Sequence, residues 1–192
     1  MEKQIFIFTA GGTLPREHLS ASIDNSINPE LIYYYQIGKL NENMVNKIDA
    51  GNNNFYAWGA VPGVQNKNNW NSLNEGDYVL TVYENTYHYI SRVLGKINHP
   101  ELAKKIWGVD EDNNTWQYMY FLTKPEKIEV NLSELSRYLH RSYFGFTRIS
   151  DNRLNDIIQD YNSIDDFMDQ ELCPGISEDN IVVTDLSRYN VA

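Results

Sequence analysis

The sequence predicts an α+β fold whose core is a curved, mostly antiparallel sheet that forms a small open barrel flanked by helices. Segments rich in β-branched and aromatic residues outnumber helical patterns in the middle of the chain. Two of these segments, at 78–83 and 87–97, are separated by a short polar turn, which is typical of a hairpin. The chain of 192 residues is long enough for one good core and too short for two full domains.

The individual elements follow from local patterns along the chain. A buried strand is expected at 4–9, because an apolar run ends there at two glycines. Proline in the first turn indicates helices at 29–38 and 100–106, and a serine cap indicates one at 133–139. The further predicted strands are 55–60, 78–83, 87–97, 116–122, 127–130 and 144–149. The further predicted helices are 41–49 and 151–171, whereas 13–28 and 63–72 are expected to be irregular.

Charge is distributed unevenly along the chain. The formal net charge is −10, and residues 151–192 hold 10 acidic against 2 basic side chains. Residues 1–150 are nearly neutral, with 14 Lys and Arg against 16 Asp and Glu. This change of charge near residue 150 separates a domain at 1–150, with an N-terminal strand and helical segment in 1–54, from an acidic C-terminal helix and linker at 151–192. An acidic total argues against binding nucleic acid by bulk electrostatics, but it is compatible with a local basic face.

Several classes of protein are disfavoured by what the sequence lacks. No apolar run approaches the ~20 residues needed to cross a membrane, and the N-terminus lacks the pattern of a secretory signal, so a cytoplasmic location is expected. The single cysteine, Cys173, excludes an internal disulfide and a multi-cysteine zinc site. The four histidines lack metal-binding spacing, and the acidic loop 110–114 departs from a calcium loop where glycine is required. No catalytic residue, metal or cofactor is therefore predicted.

Aromatic side chains supply the positive indication of function. The sequence contains 4 Trp, 14 Tyr and 7 Phe, and Trp58, Trp70 and Trp107 are expected at strand ends or in loops. Tryptophan suits the wall of a pocket that stacks on a flat ligand. Stacking of a base on an aromatic ring contributes roughly 1–3 kcal/mol. The alternative is core packing, which is the commoner role for any single tryptophan.

A basic and aromatic segment lies at 137–148, and no acidic residue occurs between Glu134 and Asp151. Guanidinium groups bind phosphate bidentately and stack on bases. The candidate contacts to a nucleic-acid backbone are Arg137, His140, Arg141 and Arg148, with Lys96, Lys104 and Lys105 extending the same surface. The alternative is an ordinary solvated basic face.

An ordered set of motifs runs from 55 to 149. A Trp-Gly pair follows a strand at 58–59, and residues 70–83 read WNSLNEGDYVLTVY. A glycine-bearing strand at 92–96, a helix that ends as Ile-Trp-Gly at 106–108 and a strand at 118–122 before Pro125 complete the set. This order resembles the PUA-like superfamily that includes EVE and YTH domains. The resemblance is strongest to the EVE/YTH-like N-terminal specificity domains of McrB-type, modification-dependent restriction systems.

The resemblance implies a non-catalytic reader that flips a methylated base into an aromatic cage. N6-methyladenine in DNA is the first choice of ligand, and 5-methylcytosine or its hydroxymethyl form comes next. Two cage tryptophans of YTH domains correspond to Trp58 and Trp107, and the resemblance extends the cage to Trp116, Tyr118 and Tyr83. The implied contacts to the base edge are Thr9, Ala10 and the backbone of Gly59. The implied partners are modified double-stranded DNA and a motor or nuclease domain or subunit of a restriction system, with no membrane.

Three other functions are compatible with the sequence. The first is a PUA/YTH-like module that binds modified RNA, which equal affinity for matching RNA and DNA strands would favour. The second is a protein-interaction module that uses the acidic helix 151–171 as its partner surface. The third is a nuclease with an unrecognised site, which metal-dependent cleavage would reveal.

Overall fold

The structure is a computed structural model in which residues 2–35 and 54–173 are described. The predicted helix at 41–49, the last part of the helical segment predicted in 1–54 and the tail beyond 173 lie outside the described residues. Within the described part, no helix is both long enough and apolar enough to span a bilayer.

A seven-stranded sheet forms the centre of the molecule. Its strands are β1 (Ile5–Thr9), β2 (Tyr56–Ala60), β3 (Tyr78–Tyr83), β4 (Thr86–Asn98), β5 (Tyr118–Leu122), β6 (Glu126–Asn131) and β7 (Phe146–Arg148). The strand order is β2-β5-β4-β3-β1-β7, and β6 also pairs with β4. Only β1 and β3 run parallel among these pairs. The predicted α+β class with a curved, mostly antiparallel sheet is therefore confirmed.

The long strand β4 curves the sheet. Its first half pairs with β3 and β6, whereas its second half pairs with β5. The register against β5 shifts between Val93 and Gly95. Such irregularities bend a strand and increase its twist. The bend turns β5 and β2 away from the plane of β3 and β1, and it gives the sheet its half-barrel curvature.

Six α-helices accompany the sheet. They are α1 (Thr13–Leu19), α2 (Pro29–Tyr34), α3 (Val64–Ser72), α4 (Pro100–Trp107), α5 (Asp151–Tyr161) and α6 (Ile164–Glu171), and a π-helical turn, Ser20–Asp24, continues α1. The predicted helix starts at 29 and 100 are confirmed. The expectation of irregular structure at 13–28 and 63–72 is wrong, because both segments are largely helical.

Two further predictions about helices are corrected by the structure. Residues 133–139 form consecutive turns instead of a helix, with the amide of Leu139 bonded to the carbonyl of Leu135 at 2.8 Å. The predicted single helix at 151–171 is two helices. Asn162 adopts a left-handed conformation, with φ of 69°, and it ends α5. The side chain of Ser163 then caps α6 by accepting the amide of Asp166.

The Gly-Asp pair before β3 holds the start of two strands together. Gly76 has φ of 86°, a conformation that glycine adopts without steric cost. The buried carboxylate of Asp77 accepts the backbone amides of Gln4 at 2.9 Å and Asn74 at 2.7 Å. These bonds fix the start of β1 against the entry to β3. The pair that carried the family resemblance therefore organises the sheet.

The two faces of the sheet carry separate parts of the core. Alternate residues of β1 point to opposite faces, so that Ile5 and Ile7 pack with α5 and α6, whereas Phe6 and Phe8 pack with β2 and α1. The apolar sides of α5 and α6 are buried on the sheet through side chains that include Ile157. The two acidic helices are thus packed against the same sheet as the rest of the protein.

Candidate nucleic-acid interface

A pocket opens on the Phe8 face of the sheet, where β1, β2 and α1 meet. We call it the tryptophan pocket, because Trp58 and Trp116 form two of its walls. Its rim and floor are formed by Thr9, Gly11, Pro15, His18, Gly59, Ala60, Val61, Asn66, Gly145 and Phe146. Its volume is about 290 Å³, at the lower end of the ~300–1,000 Å³ typical of ligand pockets. A pocket of this size suits one flat ring system.

The orientation of Trp58 is set by packing. Its indole stacks on Phe8 with ring centroids 4.2 Å apart and an angle of 14° between the rings. Trp58 is only 6% exposed and belongs to the core of the β2 face. Because one face of the indole is covered by Phe8, Trp58 is a rigid wall.

Gly59 allows the second wall to approach. A methyl group at this position would overlap the backbone carbonyl of Trp116 and would lie 3.0 Å from the ring of Trp107. An isolated glycine in a strand is typical of such close backbone approach. The family resemblance assigned Gly59 a contact to the base edge. In the structure Gly59 lines the pocket and lies against Trp107 and Trp116.

Trp107 lies behind the pocket. Its indole Nε1 donates to Ser22 Oγ at 3.1 Å, its ring packs beside Gly59, and it is 6% exposed. The centroids of Trp58 and Trp107 are 6.4 Å apart, with their planes tilted by 58°. A sandwiched base needs parallel rings about 7 Å apart, twice the ~3.5 Å contact distance. In this structure the two rings do not form such a sandwich, and the predicted role of Trp107 as a cage wall remains a prediction.

The two tyrosines of the predicted cage lie elsewhere. Tyr118 packs against Trp70 with centroids 5.4 Å apart, and it is not part of the pocket lining. Tyr83 stacks on His88 with ring centroids 3.5 Å apart. The guanidinium carbon of Arg16 lies 3.6 Å from the centroid of the Tyr83 ring. The structure therefore brings together Trp58 and Trp116 but not the two tyrosines.

The two predicted edge contacts from β1 differ. Thr9 lines the pocket, and its hydroxyl accepts the amide of Gly145 at 3.0 Å. Ala10 is fully buried, and its amide is bonded to the carbonyl of Val82 at 2.9 Å. Ala10 therefore has no free donor to offer a base, whereas the Thr9 hydroxyl keeps its own proton available.

His18 lies among the tryptophans. Its ring centroid is 4.1 Å from that of Trp116, in an edge-on arrangement, and 6.3 Å from those of Trp58 and Trp107. The residue is 4% exposed and lines the pocket. Burial lowers the pKa of His18, and a hydrogen bond to the backbone of Trp107 offsets only part of that effect. His18 is therefore neutral at neutral pH.

A loop with an exposed aromatic ring borders the pocket. Phe144 is 90% exposed, and its neighbour Gly145 has φ of 58° and lines the pocket. Two hydrogen bonds tie the base of this loop to Thr9: the amide of Gly145 donates to the Thr9 hydroxyl, and the amide of Thr9 donates to the carbonyl of Gly145. Arg141 is exposed in the same loop.

The predicted basic residues divide into paired and unpaired groups. Arg137 is bound to Asp160 at 2.6 Å, and Arg148 is bound to Asp151 at 2.5 Å. His140 lies edge-on to Tyr143, and partial burial together with the charge of Arg153 lowers its pKa. Three cations are exposed and make no ion pair with another described residue: Arg141, Lys104 and Lys105.

Lys96 has a structural role. Its ammonium donates to the carbonyls of Trp70 at 2.8 Å, Asn71 at 2.8 Å and Leu73 at 2.6 Å. These carbonyls lie at the end of α3, where a helix leaves carbonyl groups without partners. Lys96 thus caps α3, and its three donors are used there.

The sequence did not identify His18 or Asn66 as pocket residues. Both lie in segments that were expected to be irregular, and both are brought to the pocket by helices, α1 and α3. The side chain of Asn66 donates to the carbonyl of Val61 at 3.0 Å. No cluster of three metal-ligating side chains occurs within 2–35 and 54–173.

Comparisons with known proteins address the fold. No family model and no curated protein matches the chain. Among solved structures, the N-terminal domain of Thermococcus gammatolerans McrB bound to m5C DNA is similar, with a TM-score of 0.58 and 17% identity over 83% of this chain and 98% of that one.

Two further solved structures are similar at lower scores. Human THYN1 in complex with DNA containing 5-methylcytosine has a TM-score of 0.42 and 10% identity, over 82% of this chain and 96% of that one. The YTH domain of Zygosaccharomyces rouxii MRB1 in complex with N6-methyladenosine RNA has a TM-score of 0.38 and 13% identity, over 82% and 85%. The likeness to the McrB N-terminal domain confirms the fold that the sequence motifs implied, and the chain has the fold of that domain.

Proposed function

We propose that this chain is a non-catalytic reader that binds a methylated base of nucleic acid in the tryptophan pocket. The observation that carries the proposal is one base-sized pocket with two indole walls, Trp58 and Trp116. An indole offers a large flat surface, and stacking a base on it contributes roughly 1–3 kcal/mol. A buried methyl group on that base adds roughly 0.8 kcal/mol.

The base reaches the pocket by leaving the duplex. A base that remains stacked between its neighbours cannot also stack on the indole walls of a pocket, so the base rotates out of the helix. Unstacking and unpairing cost a few kcal/mol, which stacking on Trp58 and burial of the methyl group must offset. N6-methyladenine is the first candidate, through the family resemblance. 5-Methylcytosine is supported by the ligand of the McrB domain that shares this fold.

The loop at 140–145 contacts the nucleic acid beside the flipped base. Apolar side chains that insert between base steps stabilise an unstacked duplex, and Phe144 is the large apolar side chain exposed next to the pocket. Arg141 supplies a guanidinium for the phosphate backbone. Because the formal net charge is −10, we expect weak binding to unmodified duplex and a shallow dependence of affinity on salt.

The chain acts as the specificity domain of a restriction complex. This part of the proposal rests on likeness to nearly the whole of the McrB N-terminal domain. Such a domain selects the modified site, and a motor or nuclease domain or subunit supplies the chemistry.

A binding titration with a matched pair of tryptophan variants tests the reader. Fluorescence anisotropy at one moderate salt concentration compares identical duplexes carrying adenine, N6-methyladenine, cytosine, 5-methylcytosine or 5-hydroxymethylcytosine. RNA strands with and without N6-methyladenosine complete the panel. Trp116→Ala removes a pocket wall, whereas Trp70→Ala removes a half-buried tryptophan outside the pocket lining.

The expected result is a preference for one methylated base, lost in Trp116→Ala and kept in Trp70→Ala. The loss corresponds to roughly 5- to 150-fold in affinity, the equivalent of one stacking contact. Equal binding of methylated and unmodified strands by the wild-type protein would overturn the proposal. Preference for the modified RNA over every DNA would redirect it to an RNA reader, since only RNA offers a 2′-hydroxyl.

A further inference from the structure

His18 lines the tryptophan pocket and carries a ring nitrogen that has no hydrogen-bond partner. Its Nε2 atom is buried and has no hydrogen-bond partner. The backbone of Trp107 raises the pKa of His18 through a hydrogen bond, and we assign this bond to Nδ1 because Nε2 has no partner. A neutral imidazole that donates through Nδ1 carries a lone pair on Nε2. The atom that is left over is therefore an acceptor.

The surroundings hold this acceptor in place. The Trp116 ring meets the imidazole edge-on at 4.1 Å, and Trp58 and Trp107 flank it at 6.3 Å. The short α1 helix that carries His18 is packed beside α4, which carries Trp107. A polar group fixed in a concave apolar site is the usual means by which a pocket orients its ligand.

A buried acceptor without a partner is costly to the folded protein, and a ligand that supplies an N–H removes that cost. Among the bases, the exocyclic amino groups of cytosine and adenine are donors, whereas thymine presents a carbonyl oxygen at the matching position. 5-Methylcytosine keeps both amino protons and N6-methyladenine keeps one. A carbonyl oxygen placed against Nε2 would instead bring two acceptors together.

We propose that His18 is a specificity-determining residue whose Nε2 accepts a hydrogen bond from the exocyclic amino group of the base in the tryptophan pocket. The inference rests on the proposed function, and it adds a second selection to it. The tryptophan walls select the methyl group, and His18 selects an amino-bearing base over a keto base.

The test separates these two selections. 5-Methylcytosine and thymine share the 5-methyl group and differ on the pairing edge, where the first has an amino group and an unprotonated N3 and the second a carbonyl and N3–H. Each is placed opposite an abasic site, where neither has a base pair to break. N6-methyladenine and N6,N6-dimethyladenine form a second pair, since the second has no N–H left. His18→Leu removes the acceptor at similar volume, and His18→Gln keeps an acceptor at the same reach. Affinities are measured by anisotropy.

One of the two pairs contains the base that the wild-type protein binds. Within that pair, we expect the affinity for the base that carries an N–H to exceed the affinity for the other base by at least tenfold. His18→Leu should reduce this ratio to within about threefold while keeping the preference for the methylated over the unmethylated base, and His18→Gln should keep most of the ratio. A ratio unchanged in His18→Leu overturns the role of His18 and leaves the reader intact. If the wild-type protein shows no preference for the methylated over the unmethylated base, the proposed reader function is overturned.

A measurement on the wild-type protein covers the case in which His18→Leu does not fold. The ¹⁵N chemical shift of His18 Nε2 distinguishes a free lone pair from one that accepts a hydrogen bond. Adding the N–H-bearing strand should shift this resonance, and adding its partner strand should not. Equal shifts with both strands, or none with a bound N–H-bearing strand, would overturn the proposal.

Discussion

Two concavities of similar size lie on opposite faces of the sheet, and they differ in the state of their polar groups. The tryptophan pocket measures about 290 Å³. The second, which we call the Tyr78 pocket, measures about 310 Å³ and is lined by residues that include Tyr78, Arg92 and Met168. Volume alone does not separate a binding site from a gap between packed elements.

Hydrogen bonding separates them. In the Tyr78 pocket the Tyr78 hydroxyl donates to Asp165 at 2.6 Å, and Arg92 Nε donates to the carbonyl of Gly76 at 2.7 Å. The Arg92 guanidinium also lies 4.0 Å from the centroid of the Tyr78 ring. These groups hold α6 and β4 against β3. The tryptophan pocket instead contains His18 Nε2, which has no partner. The named polar groups of the Tyr78 pocket are used within the protein, and the unpaired ring nitrogen of His18 is the reason for placing the proposed ligand in the tryptophan pocket.

Gly59→Ala should break the tryptophan pocket with the largest effect on binding. The added methyl group overlaps the carbonyl of Trp116, so either β2 or the Trp116 wall must move. We expect affinity for the methylated strand to fall about 100-fold, because about 3 kcal/mol of stacking is lost. Gly63→Ala is the matched control, since a methyl group there meets no atom within 4 Å. Parental affinity in a folded Gly59→Ala protein would contradict the assignment of this pocket.

Phe144→Ala tests whether the loop beside the pocket assists flipping. Its ring is 90% exposed, so its removal should leave the midpoint of thermal unfolding unchanged. Affinity for methylated duplex should fall roughly tenfold, because the unstacked duplex loses its wedge. Affinity for the same base in a single strand should change little. Tyr34→Ala, an exposed aromatic residue on α2, serves as the control. An equal loss on duplex and single strand would contradict a wedge.

The sequence predicted the sheet better than it predicted the pocket. The strands carry their own signal in alternating or continuous apolar residues, as in β3 and β5. The helices α1 and α3 have little local signal, because few of their side chains are buried. Helix α3 is completed by Lys96 from β4, 23 residues after the carbonyl of Leu73. Contacts that join distant segments leave no local pattern to find.

The same reason explains which site residues were predicted. The family resemblance assigned Trp58 and Trp116 to the site, and the Trp-Gly pair at 58–59 marked the first of them. His18 was missed because its role depends on three tryptophans that lie 40, 89 and 98 positions later in the chain. Arg137 and Arg148 were predicted to contact nucleic acid because no acidic residue occurs between Glu134 and Asp151, but their acidic partners come from α5.

Asp165→Asn should affect the Tyr78 pocket in stability alone. Burial raises the pKa of Asp165. Hydrogen bonds from Lys3 and Tyr78, together with the charges of Lys3 and Arg92, outweigh this effect, so that the pKa lies below its ordinary value of 3.8. Its stabilising contribution is therefore present above about pH 3.8 and is lost as the pH falls below that value. Because the group is half-exposed, we expect a loss of about 1 kcal/mol at pH 7 by urea denaturation.

Two comparisons make the Asp165→Asn result interpretable. Asp166→Asn changes an exposed neighbour whose carboxylate has no hydrogen-bond or ion-pair partner among the described residues, and it should leave the unfolding free energy nearly unchanged because the backbone amide that Ser163 caps is kept. Affinity for the methylated strand should be the same in both variants and in the parent. A binding defect in Asp165→Asn at full stability would mean that the two concavities do not differ in function.

Tyr120→Phe gives the smallest effect and the narrowest form of the comparison. The Tyr120 hydroxyl, like His18 Nε2, is buried without a hydrogen-bond partner, but Tyr120 is fully enclosed and is not part of the pocket lining. Removing a polar group that has no partner relieves its desolvation cost, so we expect Tyr120→Phe to raise the free energy of unfolding by about 1 kcal/mol. Affinity for the methylated strand should stay the same, because no ligand reaches the hydroxyl. We expect Tyr120→Phe to gain stability without a change in binding, and the His18 variants to change base selection. Together these results would show that an unpaired polar atom has a binding function only where its residue lines the pocket. Weaker binding by Tyr120→Phe would contradict that distinction, since the hydroxyl would then contribute to the site from inside the core.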